Sequence, residues 1–129
     1  MTADWSAFGL DRHPVCGGCA ISGLYDLEPI RLCYLNDVLA MDASVAERNS
    51  PLRHLPKQAP PLILSVGTGE TPEFLRQQES FAAAWRAAGL TLEIADQPGD
   101  HHFAIMDRLG EPQSLLHRAV MRQISSGRA

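Results

Sequence analysis

The chain has 129 residues, 45% hydrophobic and 20% charged, with a formal net charge of -4. That length suits one compact domain with a buried core, and that composition speaks against disorder. An acidic balance without a basic stripe speaks against a nucleic-acid partner, and no apolar run reaches the roughly 18 residues needed to span a bilayer.

Along the chain, short apolar runs alternate with longer amphipathic ones, the pattern of βαβ units around a parallel sheet. The opening Met-Thr-Ala-Asp-Trp-Ser lacks the positive and then apolar order of a signal peptide, so none is expected. Residues 3–10 read as a helix end that stops at Gly9. Residues 15–21 are apolar and interrupted by Gly17 and Gly18. They predict a buried strand closely approached by a helix or backbone. Cys16 and Cys19 have Cys-x-x-Cys spacing, but a redox pair should open a helix after a strand, so buried strand cysteines are expected instead. A zinc site would need a second ligand pair, for which Cys33 and His13 are poor substitutes. The odd count of three cysteines is no secreted disulfide framework and predicts a reducing, cytoplasmic setting.

Residues 22–60 are the least regular stretch, with short helices predicted at 35–41 and 43–48 and a proline-stiffened approach at 55–61. Tyr25 and Asp26 could border a pocket, but a turn with Asp26 as N-cap is the expected reading. Residues 62–66 form a second apolar strand. Thr71 is a good N-cap for a helix over 72–88, with Pro72 at its first position, Glu73 at its positive end and Gly89 closing it. Phe74, Gln78, Phe81, Trp85 and Ala88 share one face, while Arg76 and Gln77 read as solvated or packing residues. Residues 91–96 alternate as a third strand with Leu92 and Ile94 on one side. A last helix over 113–124 should bury Leu115, Leu116, Val120 and Ile124. Trp5, Phe8, Phe81 and Trp85 are expected in the core or at helix contacts.

In a parallel α/β sheet, functional groups gather on loops at the carboxyl ends of strands, here residues 22–26, 67–71 and 97–102. Glu70 follows the second strand and His102 the third. A carboxylate there could hold the imidazole tautomer and stabilise the imidazolium, and acid before histidine is the order of an α/β-hydrolase. By spacing alone, a glutamate before a helix more often complements the dipole, and His101 with His102 could be a surface pair. A metal site is not expected, because no ligand set accompanies them.

Four stretches carry a resemblance: Gly18-Cys-Ala-Ile-Ser-Gly-Leu-Tyr-Asp-Leu-Glu-Pro-Ile, Asn49-Ser-Pro, Gly69-Glu-Thr-Pro-Glu-Phe-Leu-Arg-Gln, and His102-Phe103. In this order they resemble the arylformamidase-like hydrolases, or kynurenine formamidases, which are close to the hormone-sensitive-lipase type of esterase. The resemblance runs from about residue 4 to residue 124. It implies that Glu70 is the triad acid, where that family often has aspartate, and that His102 is the general base. It also implies a nucleophile on a Gly-x-Ser-x-Gly turn upstream of residues 2–10 and a His-Gly-Gly oxyanion hole further upstream. This chain has neither pattern, and none of its serines, Ser22 included, sits in that frame.

The expected fold class is therefore α/β, the C-terminal portion of an α/β-hydrolase with about three parallel strands and flanking helices, residues 1–129 being a single partial domain. The complete enzyme would hydrolyse small carboxylic esters or aryl-formamides, without cofactor or metal. The isolated chain should be inactive or nearly so, since a triad without its serine forms no acyl-enzyme. No nucleic-acid or membrane partner is expected. Self-association is, because the strand near Cys19 would expose a bare apolar edge. The competing readings are a non-catalytic remnant or interaction module, a split enzyme whose serine comes from another polypeptide, and a thiol redox domain.

Overall fold

The computed structural model describes residues 5–10 and 15–127. Three parallel strands form the sheet: β1 (Gly18–Ile21), β2 (Leu62–Ser65) and β3 (Leu92–Ile94), in spatial order β1-β2-β3. Gly18 pairs with Leu62 and Ile21 with Ser65; Leu62 in turn pairs with Leu92 and Leu64 with Ile94. Between β1 and β2 run three short helices, α1 (Glu28–Arg31), α2 (Asn36–Leu39) and α3 (Ala43–Asn49). The longer α4 (Pro72–Ala87) links β2 to β3, and α5 (Leu115–Ser126) closes the described chain.

All four residues of β2 are buried, which explains its unbroken apolar run. Side chains alternate across a strand, so successive residues serve opposite layers. Leu62 and Leu64 join Tyr25, Phe81, Ala82 and Trp85 under α4, whereas Ile63 joins Ala95, Ala119 and Val120 under α5. Tyr25 stacks on Phe81 at 4.1 Å and Phe81 tilts against Trp85 at 5.4 Å. The Trp85 indole N–H donates to the Thr91 carbonyl at 3.1 Å, so the ring is buried with its donor satisfied.

Several boundaries differ from expectation. Residues 5–8 form one 3-10 turn, Trp5–Phe8, and Phe8 is 73% exposed, since a single turn offers no apolar stripe to seat on the sheet. The expected packing of Trp5 lies outside the described side chains. β1 begins at Gly18, later than the predicted residue 15. Gln123 of α5 occupies the space beside Gly17, where a Cβ would come within 2.4 Å of its side chain, and donates to the carbonyls of Gly18 and Pro61. Cys16 and Cys19 are free and exposed, not buried, with Cys16 ahead of β1 and Cys19 on the edge strand of the described sheet.

On α4, Thr71 has the extended backbone of an N-cap, yet its side chain accepts no capping bond. The helix ends at Ala87 with Gly89 at φ +74, which turns Ala88 out to solvent. Its buried stripe is Gln77, Gln78, Phe81, Ala82 and Trp85. On α5 the buried stripe is Leu116 and Ala119, with Val120 partly buried, while Leu115 and Ile124 are 48% and 41% exposed. The small Ala119 lets α5 approach β2 closely, a role that a hydrophobicity pattern underrates. Ile94 is likewise 40% exposed, on the outer strand of the described sheet.

Candidate catalytic acid and base

The three strand-end loops meet. The loop after β2 folds into a tight turn in which the Glu70 N–H donates to the Gly67 carbonyl at 3.0 Å. It lies directly on the loop after β3. The Gly69 N–H donates to the Asp100 carbonyl at 3.0 Å, the Thr68 N–H to the Gln97 carbonyl at 3.0 Å, and the Gly99 N–H to the Thr68 hydroxyl at 2.8 Å. A Cβ on Gly67 would stand 2.1 Å from the Asp100 carbonyl oxygen, so this approach requires glycine.

Glu70 is the centre of the cluster, and its side chain has no solvent exposure. Oε1 accepts from the Ser22 hydroxyl at 2.5 Å and from the Gly67 N–H at 3.0 Å. Oε2 faces His102 Nδ1 at 2.7 Å. Burial pushes the Glu70 carboxyl up, but hydrogen bonds from Ser22, Gly67 and His102 outweigh burial and hold it below the ordinary carboxylate range. An ionised carboxylate only accepts, so Nδ1 of His102 must carry the proton in this pair. The neutral ring then keeps Nε2 as its basic nitrogen.

The position of the imidazole is fixed by packing as well as by charge. Its ring stacks on Phe74 of α4 at 4.8 Å and meets Phe103 edge-on at 5.4 Å. The His102 side chain is 47% exposed, so the ring remains reachable from solvent. Asp100, two residues earlier, anchors the loop. Its carboxylate makes two hydrogen bonds of 2.6 Å to Arg108, which also donates to Glu111 at 2.8 Å. The Arg108 hydrogen bonds hold the Asp100 carboxyl below its usual range despite desolvation. His101 plays a different part: its Nδ1 accepts from the N–H groups of Phe103 and Ala104 and starts the following turn.

Sequence reasoning named Glu70 and His102, and the fold brings them into hydrogen-bond contact. It did not single out Ser22, Asp100 or Arg108. Ser22 lay in the first strand-end loop, but no spacing rule ties a residue there to one 48 positions later. Tyr25 is only 5% exposed and packs in the core, and the Asp26 carboxylate accepts from the Glu28 N–H at 3.2 Å, so this pair forms a packed turn. The grooves beside α5 and beside Tyr25 and Trp85 have neither Glu70 nor His102 in their walls, so the pair stands apart from both. Among the described residues, no three His, Cys, Asp or Glu side chains converge as a metal site, and no helix is long and apolar enough to cross a membrane.

No protein-family profile matches the chain. Two curated relatives are similar to it over nearly its whole length. Kynurenine formamidase of Danio rerio is 31% identical over 129 residues, and kynurenine formamidase of Salmo salar is 32% identical over 130. Each match covers 96% of this chain and 44% of the relative, so the chain spans under half the length of the curated relatives it matches. Among solved structures, a Silicibacter protein assigned as a thioesterase is 31% identical with a TM-score of 0.64, over 76% of this chain and 36% of that one. A Thermogutta terrifontis esterase shares the fold at 20% identity and a TM-score of 0.56, over 84% of this chain and 43% of that one.

Proposed function

We propose that the chain is part of an arylformamidase-like or esterase-like α/β-hydrolase, and that Glu70 and His102 are the acid and base of a Ser-Glu-His triad whose serine lies outside these 129 residues. The observation that carries this reading is the 2.7 Å contact between His102 Nδ1 and a carboxylate with no solvent exposure, on an imidazole that solvent still reaches. In that role Nε2 takes the proton of an attacking serine and returns it to the leaving group, while Glu70 stabilises the imidazolium and holds the tautomer. The substrates would be small carboxylic esters or aryl-formamides, N-formylkynurenine among them. Residues 1–129 would then act as one partial hydrolase domain, and the outer edge of β1 would recruit a second chain.

By themselves the two groups could at most activate a water. They would lack an oxyanion hole, whose donors are worth about 2.7–4 kcal/mol each in a comparable enzyme. The missing Gly-x-Ser-x-Gly frame thus favours a second reading of the isolated chain, as a non-catalytic module or one half of a split hydrolase.

The test has two parts. Sequencing the coding DNA upstream of Met1 shows whether an open frame encodes His-Gly-Gly and then Gly-x-Ser-x-Gly. The longest polypeptide so defined, or this chain with a co-purifying partner, is then assayed on p-nitrophenyl acetate and N-formylkynurenine. His102→Ala and Glu70→Gln should each lower kcat by about three to four orders of magnitude. Turnover indifferent to both substitutions sinks the triad. Robust turnover by the purified 129-residue chain, lost in His102→Ala, sinks the idea that the nucleophile comes from elsewhere.

A further inference from the structure

We propose that Ser22 is a positioning residue for the acid–base pair: from the end of β1 its hydroxyl fixes the Glu70 carboxylate so that Oε2 faces His102. The inference rests on the reading of Glu70 and His102 as acid and base, and adds a third side chain to it. Two observations carry it.

The first is the hydrogen-bond geometry. Oε1 of Glu70 is held from two directions, by Ser22 at the end of β1 and by the Gly67 N–H at the end of β2. Two donors on one oxygen fix the plane of the carboxylate and leave the other oxygen for the imidazole at 2.7 Å. Gly67 alone would tie the acid only to its own loop. Ser22 ties it to the end of β1, which is itself anchored to β2 by the Ser22 N–H donating to the Ser65 carbonyl at 2.8 Å.

The second is the backbone. Ser22 has φ +49, in the left-handed region where a non-glycine residue is strained. Gly23 follows immediately, so a glycine at position 22 would have relieved the strain without a side chain. A serine is instead held in the strained conformation with its hydroxyl on a buried carboxylate.

The test separates the hydroxyl from the backbone. Ser22→Ala removes the hydroxyl and keeps the strain; Ser22→Gly removes both. In the 129-residue chain the Glu70 carboxyl is titrated by 13C NMR, the His102 imidazole by 15N NMR, and stability is read from the urea midpoint. Both variants should raise the Glu70 midpoint by about one pH unit, the worth of one hydrogen bond to a charged group, and the His102–Glu70 coupling should vanish at correspondingly higher pH. Ser22→Gly should be the more stable of the two. If either folded variant leaves both titrations where the wild type has them, Ser22 is a structural residue only and the proposal is wrong. The outcome is independent of the triad assay. A triad that fails in turnover leaves the Glu70 titration readable, and an unmoved titration beside His102-dependent turnover rejects Ser22 alone.

Discussion

Glu70 is an ionised carboxylate without solvent, an arrangement that costs several kcal/mol unless donors replace the water. It has three donors, Ser22, Gly67 and His102. Their effect on stability has a definite sign. Its folded-state pKa lies below the ordinary value of 4.5, so the contribution is fully present above that value and is lost as pH falls through the folded value. We expect Glu70→Gln to lower stability near neutral pH by about 1 kcal/mol, a figure reduced for screening at the exposed His102 side. The gap between variant and wild type should close as pH drops through and below the carboxylate range, where a protonated glutamate resembles glutamine. Urea unfolding at several pH values measures it, and a gap that widens on acidification contradicts the assignment. At this scale the candidacy of Glu70 and His102 was legible in the sequence, from their places after β2 and β3 together with the resemblance. Ser22 was not, because its partner is distant in the chain and only strand pairing brings the two together.

The elements themselves follow largely from local chemistry. Proline and an acidic residue in the first turn and glycine just past the last mark α4, and Asp42 and Ser114 cap α3 and α5 by accepting from Val45 N–H and His117 N–H. Which face each helix buries is less local. Gln77 read as solvated or packing; it packs, is 1% exposed and holds the β1-to-α1 turn. Its carbonyl accepts from the Tyr25 and Asp26 N–H groups, at 2.6 Å and 2.9 Å, and its amide donates to the Asp26 carbonyl. Gln77→Leu would fill the space but orphan these backbone groups, at about 2–3 kcal/mol. A thermal melt several degrees lower, with Tyr25 fluorescence altered, is the expected result; an unchanged melting temperature would mean that water replaces the amide. The α5 face missed expectation for a similar reason. The helix docks through Ala119, and how closely a helix can approach a sheet is a property of the pair, not of either sequence.

At the scale of the whole molecule, β2 is sheathed on both faces, while among the described residues β1 and β3 each have one strand neighbour. β1 is short and apolar, with Cys19 exposed on it. Apolar side chains around α1 and α2 add to the open surface, Leu32 at 68%, Tyr34 at 80% and Val38 at 88% exposure. Such surface recruits other chains. Sedimentation of the purified chain should therefore show mass rising with concentration, and Cys19→Lys should shift the equilibrium toward monomer by setting a charge on the strand. A monomer at every concentration would count against pairing at this edge.

The sequence by itself determined the alternation of strands and helices, the parallel α/β class, the ends of α4, and the candidacy of Glu70 and His102. These rest on period, capping and loop position, which are properties of neighbouring residues. Only the tertiary structure decided that Cys16 and Cys19 face solvent, that Gln77 is buried, that Ala119 rather than Leu115 docks α5, and that Ser22 completes the shell of Glu70. Each of these depends on which segments pack together across dozens of residues, and burial and hydrogen bonding are settled by that packing rather than by local pattern.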